Sequence, residues 1–224
     1  GCPKSPPPPI HKTNYQLLKA FNPTSRANLH HVCRVLSTML QHAEMSDKIL
    51  HIIGRNHDAV LRCITPMLSL LSHRPVAELL INLVSFEEVN AGSPTVRWKF
   101  VQALSTFKLY TRLCEIVSGS KNDFCDATSG AAADVIIELT GKLCLDDNGE
   151  ILFSPFGYVP ELIDGLVTAA TSTELSLVRR TDCVRVLLEI LQKSTPEEIQ
   201  LPIQQQQYMY MEPKITMVTN KLHR

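Results

Sequence analysis

Residues 75–84 read PVAELLINLV, and residues 160–167 read PELIDGLV. The two stretches share one frame: Glu78-Leu79-Leu80-x-x-Leu83-Val84 matches Glu161-Leu162-Ile163-x-x-Leu166-Val167. Each opens on proline, whose fixed φ and missing N–H suit the first turn of a helix. Each then sets apolar residues three and four apart, the spacing that lines one helix face. Similar runs start at residues 76, 109, 134, 159 and 184: VAELLINLV, LYTRLCEIV, DVIIELTGKL, VPELIDGLV and VRVLLEILQ. A helix with one apolar face cannot bury it alone, so recurrence at this interval points to stacked helical units. The expected fold class is all-α, an armadillo/HEAT-like helical-repeat solenoid. The alternative is a globular helix bundle.

Outward from these runs, the same spacing predicts further helices. Leu29, Val32, Cys33, Leu36, Met39 and Leu40 share a face between Ser25 and Ala43. Ser46 is placed to cap a helix bearing Ile49, Leu50, Ile52 and Ile53 that ends at Gly54. Asp58 to Leu71 is a third, with a kink expected at Pro66. Ser93-Pro94 opens the next, Leu109 to Val117 follows, and Asp123 is placed to cap a helix that ends at Gly141. Pro160 to Ala170 and Glu174 to Gln192 complete the main set. Leu80, Leu83, Ile136, Leu139, Leu187 and Leu188 are the expected core residues.

The pattern breaks in three places. Pro6 to Pro9 lie in a proline-rich start, residues 1–14, that reads as an extended linker before a helical-repeat domain over 15–224. KLCLDDNGEILF alternates apolar residues around Asn148-Gly149, which predicts a short hairpin or irregular insert near 143–153. After the capping box at Thr195, QQQQYMYM reads as a loop, and Ile215, Val218 and Leu222 start one more helix. The domain reads as a fragment, cut at both ends.

Composition narrows the function classes. Of the 224 residues, 44% are apolar and only 9 are glycine, which supports a helical core and leaves no glycine-rich phosphate cradle. Lys+Arg and Asp+Glu are 22 each, so the chain lacks the positive field that nucleic acid or an anionic membrane would require. No apolar run approaches the roughly 20 residues of a membrane span. The expected setting is intracellular: cytoplasmic, or nuclear as well. The seven cysteines are widely spaced with no CxxC, so they read as reduced and metal-free, mostly small buried hydrophobes. The adjacent His30-His31 point to different helix faces, and His42 and His57 have no carboxylate or cysteine at ligand spacing. No GxSxG, HExxH, Walker A or GxGxxG motif occurs. The expectation is a protein without catalytic residues, cofactor or metal.

The order of segments resembles the SAPS-domain family, regulatory subunits of serine/threonine-protein phosphatase 6. NPTSRANLHHVCRVLSTML (22–40) and DAVLRCITPMLSLLSHRPVAELLINLVS (58–85) look like its first elements. VQALSTFKLYTRLCEIVSGS (101–120), DATSGAAADVIIELTGKL (126–143), LVRRTDCVRVLLEILQ (177–192) and KITMVTNKLHR (214–224) are similar to its later ones, in order. Where the family carries Trp-Leu, this chain has Ala103-Leu104, and its only tryptophan is Trp98. The resemblance implies a non-catalytic scaffold that binds a type 2A-like phosphatase catalytic subunit and directs its substrates, with a further scaffold protein as a second partner. The alternative is an armadillo/HEAT adaptor in transport or signalling. Two basic clusters are the candidate partner-binding residues: Arg97, Lys99, Lys108 and Arg112, then Arg179, Arg180 and Arg185.

Overall fold

The computed structural model describes residues 16–22, 25, 27–85, 93–119, 124–143 and 160–194. The proline-rich start, the segment expected to form a hairpin (beyond Leu143), the capping box at Thr195, the glutamine-rich stretch and the helix expected at Ile215–Leu222 lie outside those residues. Among the described residues every regular element is helical. After a 3-10 turn at Lys19–Phe21 come α1 (Leu29–Leu40), α2 (Ala43–Gly54), α3 (His57–Ser69), α4 (Arg74–Val84), α5 (Pro94–Thr106), α6 (Leu109–Ser118), α7 (Asp126–Leu143), α8 (Pro160–Thr171) and α9 (Leu177–Ser194). The chain divides into two compact units, Gly1–Leu109 and Tyr110–Arg224.

Local chemistry sets the helix ends. The Asn28 side chain accepts from His31 N–H and starts α1, and Asn56 accepts from Ala59 N–H at 2.8 Å and starts α3. Pro75 and Pro94 sit in the first turns of α4 and α5. The Ser176 hydroxyl accepts from Arg179 N–H at the head of α9. One expectation changes here. Ser46 does not cap α2, which starts at Ala43; its hydroxyl is buried inside the helix instead. α3 contains Pro66 and continues to Ser69, with Cys63, Ile64, Met67 and Leu68 buried along it.

In the first unit α1 packs on α4 and α2 packs on α5, while α3 touches α2, α4 and α5. Helix α4 is the most enclosed: Val76, Ala77, Leu79, Leu80, Ile81, Leu83 and Val84 are all buried. The α2–α5 contact depends on Gly54. A Cβ there would lie 2.9 Å from the Cα of Phe100, closer than real Cβ atoms come to backbone. Gly54→Ala is therefore expected to push the helices apart and cost about 1–3 kcal/mol, read as a lower urea midpoint.

In the second unit α9 packs on both α7 and α8. Four pairings connect α7 to α9. Asp126 meets Arg179, Asp134 meets Arg185, a Cβ on Gly130 would lie 3.4 Å from Asp182, and one on Gly141 would lie 3.8 Å from Glu189. The partners advance together along both helices, so α7 and α9 run in the same direction. The buried apolar side of this layer is made by Ala132, Ala133, Val135, Ile136 and Leu139 from α7 and by Cys183, Val186 and Ile190 from α9.

Candidate functional site

Helix α9 has more apolar residues than its core face can use. Asp182, Cys183, Val186 and Ile190 are buried. At 100° per residue they mark one side of the helix. Leu177, Val184, Leu188 and Leu191 fall on the opposite side, within one narrow wedge. All four face solvent, Leu177 at 70% and Leu188 at 52% exposure. From Leu177 to Leu191 this ridge runs about 21 Å along the surface. An ordered row of large apolar side chains is costly to leave in water, and such rows mark interaction sites. The core expectation is thereby corrected in part. Leu80, Leu83, Ile136 and Leu139 are buried, whereas Leu187 is half-buried and Leu188 is exposed. Counting apolar residues in VRVLLEILQ could not separate its two faces.

The candidate basic residues do not behave as two uniform clusters. Arg97 on α5 is buried at 9% exposure, Lys99 is exposed, and Lys108 is exposed in the turn after α5 at a φ of 59°. Arg112 is half-buried on α6, in the other unit. On α9, Arg179 donates to the carbonyl oxygen of Phe124 and pairs with Asp126 at 3.3 Å. Arg185 donates to Asp134 at 2.6 Å and to Asp182 at 3.1 Å. These bonds, that to Asp134 first, raise its pKa above the ordinary value. Both arginines thus tie α9 to the body of its unit. Arg180 lies between the ridge and the core face, half-buried, and its Nε has no hydrogen-bond partner.

Other surface features are weaker. In the first unit an open depression of about 400 Å³ is lined by Glu44, Asp47, Lys48, His51 and Val96. Its Asp47 accepts the Ser93 N–H with both oxygens at 2.9 Å, so that carboxylate serves the entry to α5. Among the described residues no three His, Cys, Asp or Glu side chains converge as a metal site, and no helix is long and apolar enough to cross a membrane.

The described cysteines separate by burial. Burial, aided by Glu78 for Cys33 and by Asp182 for Cys183, pushes both thiols up to about 11. Unfolded thiols titrate near 8.5, so above that pH the unfolded chain sheds protons that the folded chain keeps. Stability is expected to fall as pH rises from about 8.5 toward 11, which thermal melts across that range will read. Cys125 is exposed, and the Thr128 hydroxyl 3.3 Å away holds its pKa below the ordinary value. Iodoacetamide is expected to label Cys125 before Cys33, Cys63, Cys114 or Cys183, as peptide mass spectrometry will show.

Comparison with known proteins adds no relative: no family model, no curated protein and no solved structure matches the chain.

Proposed function

We propose that this chain is a non-catalytic helical-repeat scaffold that binds the catalytic subunit of a type 2A-like serine/threonine phosphatase and directs its substrates. The outward ridge of α9 carries the reading: a helix that is apolar on its core face and again on the opposite face has a surface to spare for another protein. The regular stacking of α1 on α4 and α2 on α5, with partners three helices apart in each case, supports an armadillo-like repeat. The partner class rests on the SAPS-like order of the leucine-rich segments from Asn22 to Arg224.

The test is a binding titration between the purified chain and a purified phosphatase 6 catalytic subunit. Saturable binding that the double variant Val184→Glu/Leu188→Glu abolishes, while its circular dichroism matches the parent, supports the reading. A catalytic subunit that does not bind the parent chain refutes the phosphatase assignment.

A further inference from the structure

We infer that the α9 ridge receives an amphipathic α-helix of the partner, one that sets carboxylates against Arg180; the inference rests on the scaffold reading above and specifies what docks there. Three observations lead to it. The ridge is straight and narrow, because Leu177, Val184, Leu188 and Leu191 repeat at intervals of seven, four and three residues on one helix. That spacing suits a second helix lying along it, whose own apolar edge repeats at the same interval.

The charges beside the ridge are the second observation. α9 carries Arg179, Arg180, Arg185 and Lys193 against Asp182 and Glu189. Arg179 is taken by Asp126 and Phe124, and Arg185 by Asp134 and Asp182. Among the described residues, no carboxylate pairs with Arg180. Its helical phase places it on the flank of the ridge, one turn from Leu177 and from Val184.

The third observation is the partial burial of that same group. The Nε of Arg180 is buried with its donor unused, whereas its two terminal nitrogens reach the surface, where a carboxylate on an incoming helix can accept from them. A basic partner helix would instead place like charge against a guanidinium that cannot move freely into water. Complementarity at this edge sets partner choice and register, and the leucines supply the contact area.

The experiment uses two stapled helical peptides of about 18 residues, a length of roughly 27 Å. Both carry the same leucine edge; one has glutamates on its flanks and the other lysines. Binding to the full chain is read by fluorescence anisotropy at low and moderate salt. The glutamate peptide is expected to bind about tenfold more tightly than the lysine peptide. Arg180→Glu is expected to reverse that preference, which a misfolded variant could not do. Leu188→Glu is expected to remove binding of both peptides. Equal binding of the two peptides, no binding of either, or a preference unchanged by Arg180→Glu would overturn the inference. The two readings fail separately. If the phosphatase catalytic subunit does not bind but the peptide preference reverses as described, the phosphatase assignment falls and the docked-helix inference stands. If the subunit binds and the peptides do not discriminate, the reverse holds.

Discussion

Phe100→Ala is expected to lower the free energy of unfolding by about 3–5 kcal/mol, one of the largest losses open to a single substitution in this chain. Phe100 is buried at 1% exposure on α5, and its ring and backbone lie against Gly54 of α2. Removing the ring leaves a cavity whose walls include helix backbone. Backbone held by its own hydrogen bonds relaxes less than side chains do, so little of the space collapses. Chemical denaturation with two probes, helix content and tryptophan fluorescence from Trp98, reads the loss. A change below about 1 kcal/mol would mean that α2 and α5 do not meet as described.

The second large effect is expected in the other unit. Leu139→Ala should cost about 2–5 kcal/mol, and Ile136→Ala about the same, because both side chains are fully buried on α7. Leu188→Ala on α9 should change stability by no more than about 0.5 kcal/mol, since Leu188 is largely in water already. The contrast carries the information: three leucine or isoleucine truncations of similar size separate a core face from a surface ridge. Equal losses at all three positions would place Leu188 in a core and remove the ridge.

Much of the fold was legible in the sequence, for a physical reason. Pro75 and Pro94 fix helix starts by what they lack, and the Leu79-Leu80-x-x-Leu83-Val84 frame fixes a buried face by periodicity. Where a local signal competed with tertiary packing, the local signal lost. Ser46 has the chemistry of a cap, yet the residues around it are drawn into α2 because Ile49, Leu50 and Ile53 must reach the core. Gly54 ends its helix as expected, but the sequence does not show why glycine stands there; only the nearness of Phe100 does.

The candidate site was less legible. Arg179, Arg180 and Arg185 read alike in sequence, all within one charged helix. What separates them is the partner each finds: Asp126 and Asp134 lie more than forty positions away on α7, and no local pattern pairs them. The ridge was hidden for a related reason. Leu187 and Leu188 are neighbours in a continuous apolar run, and a helix that is apolar on two faces gives no amphipathic phase from which to read the inner one.

Site-specific crosslinking locates the face on which the partner docks. A photoreactive benzoylphenylalanine is installed in place of Val184 or Leu188, and in place of exposed Gln102 on α5 as a reference. Each variant is irradiated with purified phosphatase 6 catalytic subunit. Covalent adducts are expected from both α9 positions, suppressed by an excess of the glutamate-flanked helical peptide. Adduct formation from Gln102 with none from Val184 or Leu188 would contradict that expectation, because the partner would then dock away from the α9 ridge.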